Sequence, residues 1–337
     1  MVLVMLVNII YDVANGNAVF NFFTISINNG ILYGRLIDIL NRGSEAAILA
    51  LGMTLVVSSS AGTDISVGSV MSLAGCVLLA GFGNVNVSEY AIPLWLGVVA
   101  GILVACLCGA FNGFLVAGLK IQPMVATLIL YSAGRAIGLL LCNSNIVYIN
   151  VESFKFFGGY CWIFPTPILI TVLCIVVTAL VLKFTALGTY VQAVGINKEA
   201  ARISGYKSAA IIFICYVACG LFAGIAGITA TSRIYSADTN NIGLNLEMDA
   251  ILAVALGGNS LGGGKFRLSG SIIGAYTIQA ITTTLYALGV SSAQAPVFKA
   301  IIVILIVTIQ SPAVKAYFAK RAAVKNAMMN AGREAQA

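Results

Sequence analysis

The sequence contains no histidine, which is the commonest metal ligand among side chains and the commonest general base. None occurs among the 337 residues. Paired carboxylates and recognisable metal-ligand spacings are missing as well. We therefore predict that the chain is not an enzyme and that it binds no metal or cofactor of its own.

Charged residues are also scarce, at 9% of the sequence, whereas they make up about a quarter of a soluble domain. Apolar residues account for 60% of the chain, and the mean hydropathy is +1.01. This composition excludes an ordinary soluble protein. It predicts an all-α, polytopic integral membrane protein.

Apolar runs separated by short polar stretches predict the spans, because a helix needs about 20 apolar residues to cross a membrane, and fewer where it is broken. The candidate spans are 46–61, 67–82, 91–118, 123–142, 163–184, 208–230, 250–260, 269–290 and 296–309. The apolar start, 1–10, is too short to cross and is interpreted as the remainder of a truncated first span. The expected total is therefore about ten transmembrane helices. The segment 34–42 is predicted to lie along the membrane surface.

The net charge of +7 does not indicate nucleic acid, because the basic residues are unevenly distributed between alternate loops. Lys and Arg accumulate on the cytoplasmic side of membrane proteins. The basic positions assigned to that side are Lys120, Lys183, Lys198, Arg202, Lys207, Lys265, Arg267, Lys315, Lys320, Arg321 and Lys325. We therefore expect a transmembrane domain over 1–312 and a basic cytoplasmic C-terminal tail over 313–337.

The stretch LGGNSLGGGKFRLSG (256–270) resembles a phosphate-binding loop only superficially. In the required spacing, Asn259 stands where the first glycine belongs and Phe266 where a hydroxyl is needed. Its glycines are instead predicted to serve tight turning and close helix packing. The stretch is also predicted to interrupt two spans, as SSSAGTDISVGS (58–69) does in the first half, which suggests an internal repeat.

Four polar residues are candidates for bordering a translocation pathway. In the first break, Asp64 or Ser66 can cap the following helix, and both can equally border a hydrophilic passage. Arg135 and Asn259 are weaker candidates. Arg135 lies within a span, so it should either face protein or water, or extend to the outer interface. Of the ionisable residues, only Asp64 and Arg135 are expected inside the spans.

The longest polar interruption, 186–210, is predicted to contain a short amphipathic helix. Asn197 can cap this helix, Gly205 can stop it, and its apolar side would be formed by Ala200, Ala201 and Ile203. A connecting loop does not need such a helix, whereas a docking element for a cytoplasmic partner does. Glu199 and Arg202 are spaced to pair with each other or to reach that partner. The residues assigned to this docking element are Gly195, Asn197, Lys198, Glu199, Ala200, Ala201, Arg202 and Gly205.

Cys142 and Cys161 flank one outer loop. In an oxidising compartment they could pair, and the alternative is two free thiols near the membrane interface.

Several long motifs occur in an order that resembles the permease subunits of ATP-binding-cassette sugar importers. They are AVGINKEAARISGYK (193–207), ALGMTLVVSSSAGTDISVGSVMSLAG (50–75), QPMVATLILYSAGRAIGLLL (122–141) and LEMDAILAVALGGNSLGGGKFRLSGSIIGA (246–275). Within that family, FFTISINNGILYGRLIDILNRGSEAAILALGMTLV (22–56) is most similar to galactofuranose-type permeases, followed by ribose-type ones. The likeness extends over residues 18–312.

The resemblance implies a permease that moves a monosaccharide into the cytoplasm of a bacterium, in the cytoplasmic membrane. ATP and magnesium would be held by a separate cytoplasmic ATPase, which docks on the loop 186–207. The implied partners are two such ATPases, an external sugar-binding protein, and a second permease copy or a paralogue. Alternatives are a related permease for nucleosides or branched-chain amino acids, or an ion-coupled secondary transporter, which usually carries more ionisable groups in its spans.

Overall fold

A computed structural model of the protein describes residues 4–6, 8–9, 24–28, 30–80, 86–87 and 92–310. The chain divides into two compact units, residues 1–284 and residues 285–337. Half of the predicted remnant span at 1–10, and the whole predicted tail at 313–337, lie outside the described residues.

The described part is mainly helical. Its α-helices are α1 (Arg35–Ser60), α2 (Val67–Ala80), α3 (Leu94–Gly113), α4 (Pro123–Leu141), α5 (Lys155–Gly158), α6 (Thr166–Phe184), α7 (Leu187–Ile196), α8 (Lys198–Ile203), α9 (Ser208–Ile234), α10 (Leu246–Leu256), α11 (Leu268–Ala287) and α12 (Ala295–Gln310). A π-helical turn, Phe114–Gly118, extends α3, and a 3₁₀ turn covers Glu152–Phe154.

Short strands join the loops, a feature that the all-helical prediction did not include. They are β1 (Ser26–Asn28), β2 (Ile31–Tyr33), β3 (Asn86–Val87), β4 (Val147–Ile149), β5 (Tyr160–Cys161), β6 (Phe164–Pro165) and β7 (Ser236–Ala237). The pairs β1–β2 and β5–β6 are antiparallel. In the third sheet, β4 lies between β3 and β7, parallel to the former and antiparallel to the latter.

Within the described residues, five helices are long and apolar enough to cross a membrane: α1, α3 with its π turn, α4, α6 and α9. Other apolar helices, such as α2 and α7, are shorter. The structure therefore supports a helical membrane protein with broken helices, but it does not confirm a count of about ten spans.

Helix α1 corrects one expectation, because the predicted surface helix at 34–42 and the predicted span from residue 46 form one continuous helix of 26 residues. No proline separates the two segments, and Gly43 alone does not end a helix. Gly43 also packs closely on Tyr276, whose ring atom would lie 2.8 Å from an added Cβ. The helix therefore continues through the glycine, where it packs against a neighbouring side chain.

The centre of the first unit is formed by α1 and α9, which run antiparallel. Arg233 near the end of α9 contacts Asn41 and Glu45 near the start of α1, whereas Gly52 further along α1 packs against Cys219. The most apolar part of α1 is completely buried. We refer to the end of this bundle where α1 starts as the Arg233 end, and to the opposite end as the Lys198 end.

Small residues allow α3 to approach α9 at backbone distance. The buried face of α3 repeats a small residue every fourth position: Gly97, Gly101, Ala105, Gly109 and Gly113. A Cβ on Gly109 would overlap the carbonyl oxygen of Tyr216, and a Cβ on Gly220 would overlap that of Ala105. Without a hydrophobic driving force in lipid, such close backbone packing is a main source of helix association.

The chain contains an inverted structural repeat built from a long helix, a break and a short helix. The long helices α1 and α9 both end in a left-handed residue, Ala61 with φ 55° and Tyr235 with φ 52°. Three residues further on, an aspartate in each break accepts hydrogen bonds from backbone amides, Asp64 from Ser66 and Asp238 from Asn240 and Asn241. The short helices α2 and α10 follow, and because α1 and α9 are antiparallel, the two units have opposite directions.

The repeat partner of the first break is therefore the segment 235–245, and not the glycine-rich stretch that the sequence suggested. Gly243 and Gly68, which lie close to the starts of α10 and α2, are in backbone contact. The two short helices thus begin next to each other inside the protein.

Candidate functional site

Three separate segments meet at the Lys198 end, where α1 finishes. The amide of Gly264, in the glycine-rich loop, donates to the carbonyl of Ser58 over 3.0 Å, and Nζ of Lys198 donates to the carbonyl of Ser60 over 3.3 Å. Gly195 in α7 lies so close that a Cβ there would overlap the Ser58 oxygen. We call this contact, formed by Ser58, Ser60, Gly195, Lys198 and Gly264, the Lys198 junction.

The junction joins elements that are far apart in sequence. It links the segment α7–α8 directly to the end of α1, after which the first break begins, and to the glycine-rich loop between α10 and α11. The junction therefore attaches α8 both to the helix that precedes the first break and to the loop that follows α10. Partial burial lowers the pKa of the Lys198 amine from its ordinary value by desolvation.

Helix α8 has the caps that the sequence predicted. The side-chain oxygen of Asn197 accepts from the amides of Glu199 and Ala200, each over 3.0 Å. After the helix, Gly205 adopts a left-handed conformation with φ +87°, and the amide of Tyr206 donates to the carbonyl of Ala201. These bonds satisfy both ends of a six-residue helix that is too short to be stable alone.

The three residues of the predicted apolar side of α8 do not share one environment. The prediction that Ala201 faces a partner is therefore corrected. Ala201 is buried against the core of its own chain, with 4% exposure, whereas Ala200 is exposed and Ile203 is 83% exposed. Residues 201 and 203 are two positions apart in the helix, so their side chains point to different faces. The surface available to a partner is therefore formed by Ala200 and Ile203, with Ile196 at its edge, and not by Ala201.

Glu199 and Arg202 pair with each other. Nε of Arg202 lies 3.0 Å from Oε2 of Glu199, and both side chains are 73% exposed. An exposed pair of this kind contributes little to stability, so both charges stay available to a partner surface.

Helix α7, Leu187–Ile196, precedes α8 and was not predicted as an element of its own. Val191 and Val194 are completely buried in the core of the first unit. Their spacing of three residues was the signal that could have revealed it. The helix fixes α8 to the body of the protein.

Asp64 and Ser66 lie together in the first break, in a buried polar cluster that also contains Asn112. Oδ1 of Asp64 accepts from the amide of Ser66 over 2.9 Å and from its hydroxyl over 2.6 Å. Nδ2 of Asn112 donates to the Ser66 hydroxyl over 2.8 Å and lies 3.5 Å from Oδ2 of Asp64. The cluster fixes the turn that starts α2.

Asn112 was missed by sequence reasoning, because a single asparagine within an apolar span gives no periodic signal. Its oxygen Oδ1 is buried and has no hydrogen-bond partner within the described part of the chain. Thr127 completes the surroundings, since its hydroxyl accepts from the amide of Ile65 over 3.2 Å.

Asn259 closes the glycine-rich loop. Its Oδ1 accepts from the amide of Arg267 over 2.6 Å, and its Nδ2 donates to the carbonyl of Arg267 and to the hydroxyl of Ser271. Ser271 also accepts from the hydroxyl of Thr54 over 2.6 Å, which attaches the loop to α1. The prediction that these glycines serve turning and packing is confirmed. Gly258, Gly263 and Gly264 have positive φ angles, and a Cβ on Gly270 would overlap the carbonyl oxygen of Gly257.

Arg135 lies apart from the other three predicted pathway residues. Its Nη1 donates to the carbonyls of Thr239 and Ile242 over 2.7 and 3.2 Å, so the side chain faces protein in the second break. Thr127, the neighbour of the first break, is eight residues away on α4, which corresponds to about 12 Å along the helix. Asp64 and Ser66 thus form one site, and Arg135 belongs to another.

Ionisable side chains other than Asp64 and Arg135 are also withdrawn from solvent. Glu247 in the first turn of α10 is buried, with 1% exposure, and Glu45 in α1 is partly buried, with 13% of its side chain exposed. Glu45 was missed because the predicted span began one residue after it. Nη2 of Arg233 lies 3.4 Å from Oε1 of Glu45.

Cys142 and Cys161 are free thiols, as are the other six cysteines, all of which lie in the described residues. Cys142 is buried and packs in the same apolar cluster as Cys76.

Comparisons with known proteins place this geometry in a family context. The family model described as "Branched-chain amino acid transport system / permease component" matches residues 35–309. A galactofuranose transporter permease protein of Escherichia coli K12 is 43% identical over 86% of this chain and 84% of its own length. A fructose import permease protein of Bifidobacterium longum is 38% identical over 85% and 80% of the two chains, and a ribose import permease protein of Escherichia coli K12 is 37% identical over 86% and 87%. No solved structure matches the chain.

Proposed function

The chain belongs to the family of branched-chain amino acid transport system permease components, and from this premise we propose that it is the transmembrane subunit of an ATP-binding-cassette importer that moves a monosaccharide into the cytoplasm. The relatives with 37–43% identity are named for galactofuranose, fructose and ribose. These names favour a sugar over the branched-chain amino acids in the family description, and over nucleosides. A galactofuranose-like or ribose-like sugar is the proposed substrate.

The Lys198 junction is the observation that supports coupling to a separate ATPase. An exposed, double-capped helix stands at one end of the bundle and is bonded at its base to both repeats. Ile203 exposes 83% of its surface and Ile196 exposes 65%. Apolar side chains on a cytoplasmic helix need a partner surface, and α8 is proposed to dock in a groove of the ATPase.

The proposed orientation follows from charge. The Lys198 end carries Lys183, Lys198, Lys207 and Lys265 and would face the cytoplasm, together with the C-terminus. The Arg233 end would face outward and receive the external sugar-binding protein. A second permease copy, or a paralogue, would complete the transporter in the bacterial cytoplasmic membrane.

Replacement of one exposed side chain tests the docking directly. We expect Ile203→Ala to weaken association with the cognate ATPase about tenfold, because an apolar contact buried in the complex is lost. Association is measured by titrating the purified ATPase onto the permease in nanodiscs. Leu107→Ala is the matched control, since Leu107 is 67% exposed on the apolar helix α3, far from α8 in sequence. Equal affinity of both variants and the parent would reject α8 as the docking element.

A secondary transporter is the competing class because Asp64 and Glu247 are buried ionisable groups and Glu45 is a partly buried one. Ion coupling predicts that uptake stops when the ion gradient is dissipated while ATP is maintained. The proposed importer continues to transport under those conditions.

A further inference from the structure

The interface between the two repeats contains a cavity of about 210 Å³. It is lined by Glu45 of α1 and Met71 of α2 from the first repeat, and by Arg233 of α9, the loop 241–244 and Leu246 of α10 from the second. At about 30 Å³ for each water molecule, the volume corresponds to roughly seven waters, which is close to the size of one sugar ring. In transporters built from inverted repeats, substrate sites lie at the repeat interface.

Two charged side chains, Glu45 and Arg233, line the cavity and expose 13% and 23% of their surface. Oε1 of Glu45 and Nε of Arg233 are shielded from solvent, and neither has a hydrogen-bond partner in the described part of the chain. Nη2 of Arg233 donates to the carbonyl of Asn41 over 2.7 Å. An ion pair that is largely shielded from water is weak evidence for stability, and the exposed parts of both side chains can reach a ligand in the cavity.

The remaining wall is apolar and includes Met71, Ile234, Ile242 and Leu246. Acceptor and donor groups on one side with aliphatic groups on the other match a sugar, which offers hydroxyls along its edge and C–H groups on its faces. A carboxylate accepts hydrogen bonds and a guanidinium donates them, so together they can bind adjacent hydroxyls. Because the two charges lie 3.4 Å apart and neutralise each other, the wall favours a neutral ligand.

We propose that this cavity is a monosaccharide-binding site on the translocation pathway, in which Glu45 and Arg233 bind neighbouring sugar hydroxyls. The assignment rests on the proposed sugar import and adds the position and chemistry of the site. It also moves the expected passage from Asp64 and Ser66 to the Arg233 end of the bundle. The buried hydrogen bonds of the Asp64 cluster account for those two residues without a ligand.

Protection of an engineered cysteine tests the site without requiring ATP. In a background without native cysteines, Leu244→Cys places a thiol in the cavity wall, where the native side chain is 49% exposed. Asn240→Cys is the control, because residue 240 is exposed on the same loop but does not line the cavity. Membranes are labelled with an impermeant maleimide in the presence of ribose, galactose, fructose or leucine.

We expect one of the three sugars to slow labelling of Leu244→Cys at least threefold and to leave Asn240→Cys unchanged. A second variant, Glu45→Gln, should raise the sugar concentration needed for half protection about tenfold, because a charged acceptor is lost. Glu152→Gln, on an exposed loop, should not change it.

Three results would overturn the proposal: no protection by any sugar, equal protection at both cysteines, or protection by leucine alone. Uptake of the same sugars by the cysteine-free parent, together with its ATPase and binding protein, separates the two levels of the proposal. Uptake without protection rejects the cavity and leaves the importer intact. Absence of uptake for every sugar rejects the proposed function itself.

Discussion

Individual polar side chains in this protein stabilise the breaks between helices by binding backbone groups that lipid could not solvate. The Asp64 cluster is the clearest case, because one carboxylate satisfies both the amide and the hydroxyl of Ser66. Backbone groups without water must find partners within the protein. The cost of losing such a partner is therefore high.

Asp64→Ala should lower the free energy of unfolding by about 1–3 kcal/mol, because buried donors on Ser66 and Asn112 lose their acceptor. Asp64→Asn keeps one acceptor oxygen, so it should cost less. The measurement is the loss of soluble, monodisperse protein on heating in detergent. Equal stability of the alanine variant and the parent would contradict the structural role.

The role of a residue could be predicted from the sequence where it is set by residues nearby in the chain. The Asn197 cap and the Gly205 stop depend only on neighbouring residues, and both are confirmed. The burial of Ala201 depends on the apolar core of the first unit, and the position of Arg135 depends on the carbonyls of Thr239 and Ile242. No local sequence pattern contains these contacts. For the same reason, Glu45 and Asn112 were not recognised.

Helices associate in this protein through small residues that permit backbone contact. The row from Gly97 to Gly113 places α3 on α9, and Gly274 places α11 on α10.

Gly109→Ala should destabilise the protein by about 1–3 kcal/mol, because the added methyl group overlaps a backbone carbonyl that cannot rotate away. Thermal unfolding in detergent, followed by size-exclusion chromatography, measures the effect. Gly118→Ala is the matched control, since its nearest neighbours are ring atoms of Phe114 at 3.2 Å, which can shift. The same loss in both variants would show that glycine flexibility matters more than close packing.

At the level of elements, apolar runs predicted most spans and their order, but not the joining of 34–42 to the span that follows. The internal repeat was suspected from two breaks, yet the wrong second break was chosen. Glycines marked the stretch 257–264, whereas the true counterpart, 235–245, is marked by an aspartate three residues after a helix end. Inverted repeats share geometry more than sequence, so the structure was needed to identify it.

At the scale of the first compact unit, the Lys198 junction lies at the Ser60 end of α1 and the repeat-interface cavity at its Glu45 end. The helix α1 is therefore the direct connection between the proposed docking element and the proposed sugar site.

This arrangement requires opposite sides for positions 265 and 240. In a background without native cysteines, an impermeant maleimide added to intact cells should label Asn240→Cys but label Lys265→Cys only after the membrane is opened. Both positions lie on exposed loops, so a difference reports sidedness and not burial. Labelling of residue 265 alone in intact cells would invert the proposed orientation.

We propose that this chain forms the sugar passage of an importer driven by a separate ATPase. Uptake in a defined system is the most direct experiment on this proposal. The permease is reconstituted in liposomes with its cognate ATPase and binding protein, and internalised ribose and galactofuranose are measured with and without ATP. We expect uptake of at least one of these sugars that requires ATP and continues when ion gradients are dissipated. Uptake that proceeds without ATP, or that stops when the gradients collapse while ATP is present, would contradict it.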